Sequence, residues 1–429
     1  MAAHKPTKLF DRRTVIKGST ALVAASVLPA PLIAKERPLK IGYVSPQTGA
    51  LAAFGETDNF ILSGLRNALK GGIKAGGKMR PVEFVVKDSQ SSSSRAAGVA
   101  ADLIEKDQVN LMLVTATPDT TNPVADQCEL AEVPCASTAA PWEAWYFGRG
   151  GKPDAGFDFT YHYFFGLADA ISIYTSIWNK LDTNKVVGAL FPNDADGNAW
   201  SHPQHGLPFH LPKAGFKLIN PGSFTNNTDN FSAHINAFKE AKTDILTGVM
   251  NPPDWNTFWK QARQQGLKPK LATIGKALVF PASVSTLGNL ADGLTAEVVW
   301  SPFHPFKSSV TGQTAAQLAA SWTETVGKDW TPPLGWTHSI FEVGVDVLKR
   351  SADPDDRQAN TAALASTDLK TIFGEVNFKK GPFGKNVCVT PTVGGQWKLG
   401  GKFGHELDII ANDTLKSVPV TASLRPLPA

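Results

Sequence analysis

The 429-residue sequence carries 42 Lys and Arg against 38 Asp and Glu, with 42% hydrophobic and 9% aromatic residues, the composition of a globular chain and not of a disordered or fibrous one. Its net charge of +4 sits in the first 34 residues, where Lys5, Lys8, Arg12, Arg13 and Lys17 face Asp11 alone; the rest balances at 37 basic and 37 acidic residues, which excludes an electrostatic footprint for nucleic acid or anionic lipid. The only long uncharged apolar stretch, Gly18 to Ala34, lies in the same leader, so a polytopic membrane protein is excluded and two domains are expected at this length.

The leader reads as an export signal over residues 1–34: a charged start, an apolar run from Ala21 to Leu28, and Pro29, Ala30, Pro31 and Ala34 before Lys35-Glu-Arg37. Within it, Asp11-Arg12-Arg13-Thr14-Val15-Ile16-Lys17 resembles the twin-arginine export motif. That implies passage through the twin-arginine machinery, cleavage after Ala34 and a periplasmic mature protein. The other reading, an N-terminal membrane anchor, is disfavoured because a span prefers roughly 20 apolar residues.

From Leu39 onward, β-branched runs alternate with amphipathic stretches. Strands are predicted at Leu39-Lys-Ile-Gly-Tyr-Val-Ser45, Val82 to Asp88, Val109 to Thr115 and Val133 to Ser137, with helices at Phe54 to Lys74, Ser94 to Asp107 and Asp119 to Ala131. Four βα units in a row imply a parallel sheet covered on both faces. A second series follows, with strands at Lys185 to Phe191, Phe216 to Asn220, Asp244 to Val249 and Lys270 to Gly275, and helices near Ala168 to Leu181, Phe231 to Ala241 and Asp254 to Gln265. The fold class expected is therefore α/β, with two Rossmann-like lobes: 39–160 plus 302–366 in the first, 161–301 plus 367–429 in the second. Strands near Thr371 to Phe378 and Val387 to Val393 are expected to return to the second lobe.

Three cysteines, Cys128, Cys135 and Cys388, make no disulfide framework. Cys128 falls late in a predicted helix and Cys135 opens the next strand, so a turn can bring them together; a Cys128–Cys135 bridge and a pair of buried thiols both stand.

Ligands of parallel α/β sheets gather at the carboxyl ends of strands, where helix N-termini present free N–H groups. The loops there are Ser45-Pro-Gln-Thr-Gly49, Thr115-Ala-Thr-Pro118, Ala136-Ser-Thr138, Pro192-Asn-Asp-Ala-Asp-Gly197, Gly248-Val-Met-Asn251 and Gly275-Lys-Ala277. Their hydroxyl, amide and small residues suit hydrogen bonding to a compact polar head such as a carboxylate; each alone also reads as a helix cap.

Lys40-Ile-Gly-Tyr-Val-Ser-Pro-Gln-Thr-Gly-Ala-Leu-Ala-Ala-Phe-Gly55, Asp88 closing the second strand, Val133-Pro-Cys-Ala-Ser-Thr138 and Trp259-Lys-Gln-Ala-Arg-Gln-Gln-Gly-Leu267 together resemble the extracytoplasmic solute-binding proteins of ABC transporters, in the branch of the branched-chain amino-acid binders. The resemblance implies two lobes joined by three crossovers, closing over a small-molecule solute that passes to ABC permease subunits. It implies a ligand carboxylate held by Thr115, Thr117, the backbone around Ala116, and Ser137 and Thr138, with Phe54 as an aromatic wall and Asp196 on the second-lobe loop. Asn251 to Asp254 fall where amino-acid binders often carry an acid for the ammonium. The chain departs from the family there, because the proline pair stiffens Asn251-Pro-Pro-Asp254 and Asp254 also reads as a helix cap.

Eleven tryptophans are unusual for this length. Trp142, next to the Ser137-Thr138 loop, and Trp255 are expected to stack on a flat ligand, while Trp178, Trp322 and Trp397 read as packing. No enzyme is expected: the chain lacks a nucleophile elbow, a phosphate-binding Gly-x-x-x-x-Gly-Lys-Ser/Thr loop and a His-Glu-x-x-His pair. His202, His205 and His210 are separated by Pro203 and Pro208 and joined by no further ligand, so neither metal nor cofactor is expected; Asp194 and Asp196 read as a solvated turn. The resulting expectation is a monomeric, periplasmic carrier of a carboxylate-bearing solute, aromatic or apolar in preference to an aliphatic amino acid; the alternative is a ligand-sensing receptor subunit of the same fold.

Overall fold

The computed structural model describes residues 36–428; the leader, with its Arg12-Arg13 pair and cleavage site, lies outside the described residues. Among the described residues no helix is long and apolar enough to cross a membrane.

The described residues build two large sheets, beside two small hairpins. The first has six strands in the order Val387–Val389, Thr160–Phe164, Cys135–Thr138, Leu111–Thr115, Leu39–Ser45 and Val82–Asp88, all parallel. The second runs His405–Ala411, Val393–Leu399, Thr295–Val298, Leu271–Lys276, Ile245–Met250, Val186–Leu190 and Lys217–Ile219, parallel except for the hairpin at its first edge. The central strands Leu111–Thr115, Ile245–Met250 and Leu271–Lys276 are buried at every position, which explains why their sequences are mostly apolar and do not alternate.

Local signals set the helices. Ser92 caps Ser93–Glu105, and Thr314 with Gln317 forms a capping box on Ala315–Val326, which ends at Gly327 in the left-handed conformation. The long helix Pro333–Arg350 is buried along most of its length. It lies close on the first sheet because Gly344 has no side chain; a Cβ there would stand 3.1 Å from Leu113 and 3.3 Å from Leu111.

The chain passes between the sheets three times: from Thr160–Phe164 to the helix Leu167–Trp178, from Thr295–Val298 to Pro333–Arg350, and from Val387–Val389 to Val393–Leu399. Two expectations are corrected here. The strand Val387–Val389 belongs to the first sheet, not the second, and the Thr371 to Phe378 region forms a hairpin, Asp368–Thr371 with Gly374–Asn377, packed against Pro333–Arg350. Asn386 decides the placement of the short strand, its amide donating to the carbonyls of Phe157 (2.8 Å) and Thr160 (2.9 Å) in the first lobe. Cys128 and Cys135 carry free thiols, both buried in an apolar cluster with Val44, Met112 and Val114, so of the two readings of this pair the structure has the unbridged one.

Candidate functional site

A cavity of ≈ 430 Å³, counting its mouth, opens between the lobes at the carboxyl ends of both sheets. Phe54, Thr117, Ala139, Pro141, Phe164, Phe165 and Trp336 line it from the first lobe; Asp196, Trp200, Val249, Lys276, Val279, Glu297 and Val299 line it from the second. The lobes touch across it: Phe54 meets Phe280 edge-on at 4.9 Å, and the Ala195 N–H donates to Asp119 Oδ1 at 3.3 Å.

Its walls are apolar and aromatic, and its polar groups are few. Lys276 ends a fully buried strand with its ammonium 2.6 Å from Asp196 Oδ2 and 3.0 Å from Asn251 Oδ1, and both members of the ion pair have nearly inaccessible side chains (5% and 3% exposed). Its backbone has φ 66° and ψ −63°, a strained γ-turn that a non-glycine residue keeps only where surrounding contacts over-determine it. Glu297 on the neighbouring strand accepts the Lys276 N–H through Oε1 (3.3 Å) and the Tyr174 hydroxyl through Oε2 (2.5 Å). Burial pushes Asp196 up to about 6 against the pull of Lys276, and pushes Glu297 up to about 7 against its hydrogen bond from Tyr174. Burial opposes the Lys276 charge, but Asp196, Asp194 and Asp119 outweigh it and raise its pKa.

The loop that carries Asp196 is shaped by its own residues. Asp194 caps the helix Ala195–Trp200, accepting the Gly197 N–H at 2.8 Å, and holds Asn226 at 2.8 Å through its other oxygen. Gly197 lets the turn close, since a Cβ there would lie 1.7 Å from the Pro192 carbonyl oxygen. Gly197→Ala is therefore expected to destabilise the protein by about 1–3 kcal/mol, read as a lower urea midpoint; an unchanged midpoint would show that the loop yields without cost.

Of the residues singled out in the sequence, Phe54, Thr117 and Asp196 line the cavity. Asn251 stands one contact behind it through Lys276, and Gly275 precedes that lysine in the strand. The others are used elsewhere. Thr115 Oγ1 is hydrogen-bonded to the Tyr43 hydroxyl (2.8 Å), which itself donates to Asp58 (3.1 Å), and Ala116, at φ 127°, gives its carbonyl to Thr121. Ala136 is enclosed in the sheet. Ser137 Oγ donates to the Tyr161 carbonyl (3.1 Å) beside His162 Nδ1 (2.8 Å), and Thr138 Oγ1 donates to the Tyr163 carbonyl (2.6 Å), so these hydroxyls tie adjacent strands together. Trp142 packs on Phe147 and Phe383 at 5.7 and 5.5 Å, Trp255 stacks on Trp259 at 5.2 Å, and Asp254 accepts the Asn227 N–H at 2.7 Å; none of the three lines the cavity.

Glu297, Trp200 and the Phe164-Phe165 pair carry no expectation from the sequence, Lys276 only as part of the loop Gly275-Lys-Ala277, and Trp336 only as one of the tryptophans near a crossover. The available signal was a lysine closing a β-branched strand, since a lysine at a buried strand end requires a partner. Three donors at the wall, Thr117 Oγ and the indole nitrogens of Trp200 and Trp336, are buried without a protein partner, a cost that a bound acceptor removes.

Solved structures with the same fold span nearly their whole length. They include a leucine-binding protein of Thermotoga maritima (TM-score 0.70, 19% identity, 88% of this chain and 100% of that one). A branched-chain amino-acid transporter substrate-binding protein of Streptococcus pneumoniae in complex with isoleucine scores 0.66 at 18% identity, over 87% and 100% of the two chains. A solute-binding protein of an ABC transporter from Rhodopseudomonas palustris in complex with 3,4-dihydroxybenzoic acid scores 0.69 at 18% identity, over 89% and 98%. No curated protein matches the chain. Two α/β lobes joined by three passages around an interlobe cavity agree with a match to the family model of the periplasmic binding proteins over residues 38–400, and by that match the chain belongs to this family.

Proposed function

We propose that the protein binds a small carboxylate with an aromatic or apolar body between its lobes and delivers it to an ABC permease, working as a monomer in the periplasm after export by the twin-arginine route. The observation that carries this reading is the cavity itself, aromatic and aliphatic on both sides with Lys276 as the one base in its lining. Phe54, Phe164, Phe165, Trp200 and Trp336 offer flat faces to a ring, while Thr117 and the two unpartnered indole N–H groups supply donors for its oxygens. A zwitterionic amino acid fits less well: Asp254 is engaged with Asn227 outside the lining, and Asp196 is already neutralised by Lys276. Because the ligand reaches both lobes only when they are closed, it shifts the population toward the closed form, which is what a permease can read.

A calorimetric panel of benzoate, 3,4-dihydroxybenzoate, leucine and isoleucine tests the reading. The aromatic acids are expected to bind and to alter tryptophan fluorescence through Trp200 and Trp336. Tight binding of leucine or isoleucine with none of benzoate or 3,4-dihydroxybenzoate would replace it with an amino-acid carrier.

A further inference from the structure

Lys276 is outnumbered. Asp196 stands 2.6 Å from its ammonium; Asp194 from the same loop and Asp119 from the first-lobe helix Pro118–Leu130 act on both partners; Glu297 receives its backbone N–H; and Asp254, on Pro252–Gln264, feels its charge. Glu143, on the short helix Trp142–Tyr146 beside Asp196's helix, turns instead to the Leu167 N–H at 2.8 Å. A ligand carboxylate that settles on Lys276 thus enters a water-poor pocket where a protein carboxylate already occupies the ammonium. Two anions cannot share one cation there without a neighbour losing its charge.

Building on the solute reading above, we propose that binding of a carboxylate ligand is coupled to uptake of about one proton, held on Asp196 as the ligand's carboxylate takes its place on Lys276. The exchange balances without a further reactant: Asp196 gains a proton from solvent, the ligand arrives as the anion, and the charge of the pocket is unchanged. Asp196 is poised for this, since burial and its acidic neighbours already hold its carboxyl up to about 6 before any ligand is present, and an added anion pushes it higher. Once protonated, its O–H donates to the ligand carboxylate, so that Lys276 and Asp196 both contribute donors to the same group. Asp196 thereby becomes a specificity residue. It admits a carboxylate together with a proton from solvent and rejects anions when protons are scarce.

The test is calorimetry on the full mature chain with benzoate as probe, in phosphate and in Tris, whose ionisation enthalpies differ, and across pH 6 to 8. The expected result is uptake of about one proton per benzoate, with affinity falling by up to about tenfold per pH unit as pH rises above the Asp196 range. Benzamide, which brings no charge, is the neutral comparison and is expected to show no uptake and a flat profile. In Asp196→Asn the uptake is expected to drop close to zero; should that variant not fold, the two-buffer comparison on the wild-type chain decides alone. Benzoate binding with no proton uptake and a flat pH profile overturns the proposal and leaves the solute reading standing. Failure of benzoate and 3,4-dihydroxybenzoate to bind at all overturns both.

Discussion

Lys276→Met is expected to weaken binding of an aromatic carboxylate by roughly 10- to 150-fold, the equivalent of about 1.5 to 3 kcal/mol for one charge-assisted hydrogen bond. It is also expected to destabilise the ligand-free protein in a pH-dependent way. Removing the lysine leaves Asp196 buried with no cation, and breaking a buried pair on one side costs about 3 to 5 kcal/mol when the remaining charge persists. Asp196 escapes that cost by protonating, and its carboxyl is already held up to about 6 with Lys276 in place. The destabilisation should therefore be large at pH 8 and small at pH 5. Urea unfolding at the two values checks this, and the double variant Lys276→Met/Asp196→Asn should recover most of the loss at pH 8. Equal destabilisation at both pH values would show that the ion pair is not what the substitution removed.

A second large effect concerns the whole molecule. Burial holds the carboxyls of Asp58, Glu143, Glu297 and Glu342 up to about 7. Each keeps in the folded state a proton that the unfolded chain has released above its ordinary range, so each contributes stability that is present at low pH and lost as pH rises through 7. The buried histidines act oppositely: desolvation lowers His162 to about 3 and His304 and His338 to about 4. Their contribution is complete above about pH 7.5 and is lost on acidification. Below pH 6.5 the two sets largely cancel. Above it the carboxyls lose about 3 kcal/mol in all between pH 6.5 and pH 8 while the last of the histidine contribution returns about 1, so the stability should fall by about 2 kcal/mol. A urea midpoint that rises over that interval would mean that these acids are ionised in the folded protein.

The two lobes were legible because the chemistry of a buried parallel strand is written in its residues: Leu111 to Val114 are apolar throughout and Ile245 to Met250 break the run only at Thr247 and Gly248. Val387–Val389 was not legible, since three apolar residues fit either sheet edge and the choice rests on Asn386, whose partners lie more than 200 positions away. The site was partly legible. Loops at strand ends pointed to Phe54, Thr117 and Asp196. Ser137 and Thr138 misled because a hydroxyl at a strand end serves a neighbouring carbonyl as well as it serves a ligand, and only the register with Thr160–Phe164 decides between them. Lys276 was legible only as part of the loop Gly275-Lys-Ala277, its charge partner lying on a loop about 80 positions earlier, and Trp336 only as a tryptophan near a crossover.

The third passage between the sheets fixes when the molecule can be completed during its synthesis. Val387–Val389 pairs with Thr160–Phe164, and a few residues later Val393–Leu399 pairs with Thr295–Val298 and with the last strand, His405–Ala411. Both sheets thus wait for the residues from Val387 to Ala411. A nascent chain halted before Val387 lacks the edge strand of one lobe and the closing hairpin of the other. Pairings this distant in sequence are slow to form and leave apolar strand edges open until they do. The two lobes, although they look independent, therefore finish folding as one unit, and only once the chain has been made through Ala411.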